Sequence, residues 1–183
     1  SFSNNLFNSP DEDIYEFDFA RMNWYPPFSL LYLACQINRF KALHTNSNII
    51  VINHERHYYA AHMAFFKAFG VDWGNSTLNN AGNDNHLPIT DIETREIIEK
   101  TMSSHYEAGD IIERKSEDLA KILVRQDQGH LFKTLSYSIR EMIRNCYEHS
   151  HTDRIQICAQ YWPGQHRVEI GICDTGVGIR SGL

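Results

Sequence analysis

Apolar and polar residues change period several times along the chain, and each change marks an element. Tyr15, Phe17 and Phe19 alternate with Glu16 and Asp18, which predicts a half-buried strand. Pro26-Pro27 can open a helix, whose apolar positions Leu30, Leu33, Ala34, Ile37 and Phe40 recur at helical spacing. Ile49-Ile50-Val51-Ile52 is an unbroken apolar run, the pattern of a strand covered on both faces. A further helix is expected through Tyr58, Ala61, Phe65 and Phe69, with Gly70 as its C-terminal cap. Strand, helix, strand, helix in this order predicts a small parallel or mixed sheet with right-handed crossovers.

From Gly74 to Asp84 the composition shifts to Asn, Gly, Ser and Thr, which marks a loop or domain junction. A short extended piece is expected around Leu87-Pro88-Ile89, then a helix from Ile92 to Tyr106. Ile112, Leu119, Ile122 and Leu123 predict a further helix. A longer one runs from Leu131 to His149, with Leu135, Ile139, Met142, Ile143 and Cys146 among its apolar positions. Ile155, Ile157, Ala159 and Tyr161 alternate with Arg154, Gln156 and Gln160. After the turn Pro163-Gly164-Gln165, Val168, Ile170 and Ile172 alternate in the same way, so an antiparallel hairpin is expected. The chain divides into an N-terminal unit, residues 1–85, and a C-terminal unit, residues 86–183.

Composition narrows the functional classes. A net charge of −6 over 183 residues argues against broad phosphate-backbone binding, so no nucleic-acid partner is expected. No apolar run approaches the roughly 20 residues of a membrane span, and the N-terminus has no signal-peptide pattern. Cys35, Cys146, Cys158 and Cys173 lack CxxC spacing and sit in apolar stretches, which reads as buried free thiols in a reducing cytoplasm. The spacings of His54, His57 and His62 match no common zinc pattern.

Candidate chemistry is concentrated in two places. On the long helix Glu141, Asn145 and His149 are each four apart, so they share one ridge at the edge of the apolar stripe. A carboxylate there can polarise water, and an amide oxygen four residues later can help to hold Mg²⁺. The plainer alternative is a solvated polar flank of an amphipathic helix. After the hairpin comes Asp174-Thr175-Gly176-Val177-Gly178, whose alternate glycines permit positive φ or close backbone approach. Asp174, at the strand end, could accept a hydrogen bond from an exocyclic amine such as that of adenine. A simple strand-to-loop turn is one alternative. An aspartic-protease Asp-Thr-Gly is another, and it needs a second aspartate to share a proton.

Together, Arg140-Glu141-Met142-Ile143-Arg144-Asn145, a hairpin and Asp174-x-Gly176-x-Gly178-Ile179 resemble the GHKL superfamily of ATPases and kinases, which includes DNA gyrase, heat-shock chaperone ATPases, sensor histidine kinases and anti-sigma-factor kinases. The resemblance covers the chain from about Ile112 onward. It implies a Bergerat nucleotide-binding fold with ATP and Mg²⁺ as cofactors. Asn145 would bind Mg²⁺, Asp174 would bind the adenine amino group, Gly176 and Gly178 would shape that pocket, and His149 would lie beside the nucleotide. Glu141 would act as the base, as in the hydrolytic members and the anti-sigma kinases. The segment Asn145 to Ser150 looks most like the anti-sigma and related bacterial ATPases.

The N-terminal unit more distantly resembles the STAS domain of anti-sigma-factor antagonists, in strand-helix order and in the run Ile49 to Ile52. Pro26-Pro27-Phe28 stand where STAS switches carry a phosphorylatable serine. The expected fold is thus α/β, a STAS-like unit followed by the front of a Bergerat fold. The lid and second glycine motif of the superfamily would follow Leu183, and without them open sheet edges would favour a homodimer. Two functions are compatible with these readings. One is Mg²⁺-dependent ATP hydrolysis or serine-kinase-like phosphoryl transfer. The other is a non-catalytic, nucleotide-responsive regulator that binds a protein partner through the N-terminal unit.

Overall fold

The computed structural model describes residues 6–74, 85–103, 107–124, 127–150 and 152–176. The fold is mixed α/β. Its elements are β1 (Ile14–Asp18), α1 (Pro27–Leu43), β2 (Asn48–Ile52), α2 (Tyr58–His62), β3 (His86–Glu93), α3 (Thr94–Ser103), α4 (Ala108–Val124), α5 (His130–His149), β4 (Arg154–Trp162) and β5 (Arg167–Asp174). Short 3-10 turns occupy Lys67–Phe69 and Pro163–Gln165. None of the described helices is long and apolar enough to cross a membrane.

Two sheets organise these elements. β1 and β2 pair in parallel, Tyr15 opposite Ile49, with α1 as the crossover that parallel pairing requires. β3, β4 and β5 form an antiparallel sheet in that order. The expected hairpin is present, Ile157 facing Ile172 and Ala159 facing Ile170, and His166 closes its turn at φ 47°.

Alternation along β4 sends residues into two different cores. Ile155, Ile157 and Ala159 pack with Ile112, Leu119 and Leu123 of α4 and with Leu135, Ile139 and Ile143 of α5. On the opposite face Cys158 packs with Leu30, Leu31 and Ala34 of α1. The polar positions of β4 therefore do not all face water. Gln156 is buried because α1 covers it, and it is satisfied there: its amide donates to Asp91 at 2.8 Å and its oxygen accepts the Cys35 thiol at 3.3 Å. Opposite Cys158, a Cβ on Gly171 would lie 3.0 Å from Leu31 Cδ2, 3.2 Å from Cys158 Sγ and 3.3 Å from the Phe28 Cα. Glycine at this strand position lets the first turn of α1 lie against the sheet.

Three elements depart from the sequence pattern. β2 is not covered on both faces, since Ile50 is 39% exposed, and among the described residues it pairs with β1 alone. The helix expected from Tyr58 to Phe69 stops at His62, and Ala64 takes a left-handed φ of 57° before the 3-10 turn. A continuous helix would point the consecutive residues Phe65 and Phe66 about 100° apart. The break allows both to bury completely, against Phe19 and Phe69. The gain from burying two rings exceeds the roughly 1–2 kcal/mol cost of a left-handed residue. Gly70, at φ 94°, is the left-handed cap, as expected. Ile92 and Glu93 belong to β3 rather than to the following helix, and Pro88 sits in that strand beside a register shift between Leu87 and Thr90. β3 lies at the sheet's edge, where proline is tolerated.

Candidate functional site

α5 and the end of β5 meet at the C-terminal turn of the long helix. Phe132, Leu135, Ile139 and Ile143 bury one face of α5, and Cys146 and Tyr147 continue that face half-buried. The helix ends at Ser150, whose N–H bonds the Cys146 carbonyl at 3.1 Å and whose hydroxyl donates to the same oxygen. The chain turns into β4, crosses the hairpin, and β5 returns Asp174 to this helix end.

Asp174 is held from two sides. Its Oδ1 accepts the Gly176 N–H at 2.9 Å, the local turn that aspartate forms with the backbone two residues on. Its Oδ2 accepts the Cys146 thiol at 3.4 Å. Thr175 and Thr152 bring their hydroxyls within 3.2 Å. Gly176 lies so close to the helix end that an added Cβ would be 1.8 Å from the Ser150 carbonyl oxygen. Close approach, rather than a positive φ, is therefore what glycine provides at this position. Val177 and Gly178 lie outside the described residues.

The ridge on α5 has a burial gradient. Glu141 has a side-chain exposure of 36%, and its Oε1 accepts from Arg140 Nη2 at 3.2 Å and Nε at 3.3 Å. Arg140 also reaches Glu113 of α4 at 3.5 Å and lies over the Tyr137 ring, so this ion pair is anchored. Glu141 Oε2 has no hydrogen bond among the described residues. Asn145 and His149 are both exposed, and His149 Nε2 lies 3.9 Å from Glu148. Glu148 is engaged by Arg144 at 2.7 Å.

The structure thus brings Asp174 and Gly176 onto the last turn of the helix that carries Glu141, Asn145 and His149. No hydrogen bond among the described residues joins the ridge to Asp174. The link is Cys146, adjacent to Asn145 and turned toward β5. By helical rise, Glu141 and His149 each lie about 6 Å along the axis from Asn145. Sequence reasoning places Cys146 in the apolar stripe and misses its role as Asp174's partner. The available signal was its chemistry, since a thiol is the one side chain of that stripe able to donate.

The arrangement can be compared with what ATP and Mg²⁺ need. A half-buried carboxylate at a strand end, with lone pairs beyond the two already used, suits an exocyclic amine. Among the described residues no group of three or more His, Cys, Asp or Glu side chains could hold a metal ion. A Mg²⁺ leaning on Asn145 would complete its shell with phosphate oxygens and waters, which is this ion's usual habit. All four cysteines are free thiols, Cys35 and Cys158 buried, Cys146 and Cys173 half-buried. Burial pushes the Cys146 thiol up to about 12, with the Asp174 carboxylate adding to the effect, so Cys146 is protonated and donating at neutral pH. The Cys173 thiol is shifted downward, chiefly by its interaction with the Cys35 side chain.

A concavity lies among residues 22–60. It is a groove of about 300 Å³ lined by Trp24, Tyr25, Leu30, Arg56, Tyr58 and Tyr59, among others. Trp24 and Tyr59 rings are 5.6 Å apart, and Trp24 and Tyr58 are 61% and 75% exposed.

No protein-family model matches this chain, and neither does any curated protein or solved structure.

Proposed function

We propose that the C-terminal unit is a Mg²⁺-dependent ATP site of the GHKL type, in a Bergerat-type fold, and that the N-terminal unit is STAS-like. The observation that carries this reading is the seating of the Asp174–Gly176 loop on the last turn of the helix bearing Glu141 and Asn145. Two motifs separated by a hairpin in sequence become neighbours, with a carboxylate for the base at one end and a cation-binding amide beside it. Asp174 recognises the adenine amino group, Asn145 holds Mg²⁺, and Glu141 acts as base through Oε2 while Arg140 holds Oε1. His149, at the exposed end of the ridge, lies beside the nucleotide. The parallel β1–α1–β2 unit supports the STAS-like assignment. A cytoplasmic setting goes with it, since four free thiols are the state that a reducing compartment maintains.

The test of catalysis is Glu141→Ala in the full-length protein. ATP turnover is expected to fall by about 10²- to 10⁴-fold, the usual contribution of a general base, while ADP affinity stays within about twofold. Turnover unchanged in the variant removes Glu141 from the chemistry.

A second reading, a non-catalytic regulator, is favoured by the aromatic groove. Exposed Trp and Tyr beside an arginine are the residue types over-represented where proteins dock. Under it the N-terminal unit binds a protein partner, and nucleotide only sets conformation. Nucleotide binding without turnover in the unmutated full-length protein would select this reading over the first.

A further inference from the structure

We propose that Cys146 is a positioning residue for Asp174, and that its thiol sets how strongly the site prefers a purine with a 6-amino group over one with a 6-oxo group. The inference rests on the nucleotide-site reading above and extends it to a residue outside the motifs. A carboxylate on a strand end turns about its own axis unless both oxygens are held. At Asp174 both are held from inside, Oδ1 by the Gly176 N–H at 2.9 Å and Oδ2 by the Cys146 thiol at 3.4 Å. The plane of the carboxylate is then fixed, and with it the directions of the lone pairs that remain.

Orientation matters because an ionised carboxylate only accepts. It pairs with an amino group and repels a carbonyl oxygen, and that contrast is largest when the acceptor cannot swing aside. The Gly176 contact comes from the loop itself and moves with it. Cys146 is different in kind. It sits on the buried face of α5, which is packed into the core through Ile139 and Ile143, and its own carbonyl is bonded by Ser150. The thiol therefore ties the base-reading carboxylate to the rigid part of the fold. It stands one residue from Asn145, so the helix turn that would hold the metal also fixes the acceptor for the base.

The probes are ADP and IDP, which differ at the purine 6-position, titrated with Mg²⁺ into the unmutated protein and into Cys146→Ala, Cys146→Val and Cys146→Ser. Thermal unfolding is followed alongside. The ratio of ADP to IDP affinity is expected to fall about three- to tenfold in the alanine and valine variants, which lack a donor, and to be restored in Cys146→Ser, whose hydroxyl donates. Valine refills the space that alanine leaves, so a ratio lost in both cannot be a packing effect. A purely structural role would weaken ADP and IDP together and leave their ratio unchanged, and that result overturns the proposal. If the unmutated protein binds ADP in an Asp174-dependent way and the ratio ignores Cys146, this inference falls and the nucleotide reading stands. If the unmutated protein binds neither nucleotide, both fall.

Discussion

Gly176→Ala is expected to weaken ADP binding by about tenfold or more while moving the midpoint of thermal unfolding very little. The added Cβ would sit 1.8 Å from the Ser150 carbonyl oxygen, and backbone cannot step aside as a long side chain can. The loop must lift from the end of α5, breaking the seat that the Asp174–Gly176 turn has there. Overpacking of this kind costs about 1–3 kcal/mol, and here it falls on a loop rather than on either core. At 1.4 kcal/mol per tenfold the same figure is roughly a five- to hundredfold loss of affinity. Calorimetric titration with ADP and Mg²⁺, paired with a thermal melt, separates the two effects. Unchanged affinity would mean that the loop's position against the helix is irrelevant to nucleotide.

Gly171→Val acts in the opposite sense, on stability before binding. Its Cβ would meet Leu31 Cδ2 at 3.0 Å and the Phe28 Cα at 3.3 Å, and valine adds two methyls beyond that point. Leu31 can shift its rotamer, but the backbone of α1 at Phe28 can yield only by moving the helix. That helix joins the β1–β2 pair to the antiparallel sheet, through Leu30, Leu31 and Ala34 on one side and Phe40 against Tyr15 on the other. A cost of about 2–3 kcal/mol is expected, or roughly 5–10 °C in unfolding midpoint for a chain of this size. Gly171→Ala should cost less, because its single methyl meets chiefly side chains. A valine variant as stable as the parent would show that α1 does not rest on β5 at this position.

The second half of the fold was the more legible in sequence, for a physical reason. The hairpin has strict alternation and a Pro-Gly turn, and the long helix carries an apolar stripe through Leu135, Ile139 and Ile143 that fixes its buried face. Neither signal depends on knowing what packs against it. Gln156 was misleading because its environment is made by α1, more than a hundred residues earlier, and no local period records that contact. The break at Ala64 has the same origin, since a cluster of aromatic rings imposed a conformation that local propensity opposes. In the site, the ridge of Glu141, Asn145 and His149 could be read from spacing alone, and so could the glycine loop. Their meeting could not, because it depends on the hairpin's register placing Asp174 opposite Ile155, at the helix end. Cys146 went unnoticed since a thiol in an apolar stripe ordinarily means packing and nothing more.

The central claim is that Asp174 reads an adenine nucleotide, and titration of the protein with ADP and Mg²⁺ beside Asp174→Asn tests it most directly. A carboxylate that accepts from the exocyclic amine contributes a charge-assisted hydrogen bond of about 1.5–3 kcal/mol, so the asparagine variant should bind roughly ten- to over a hundredfold more weakly. Equal binding by both proteins, or binding by neither, would contradict the account.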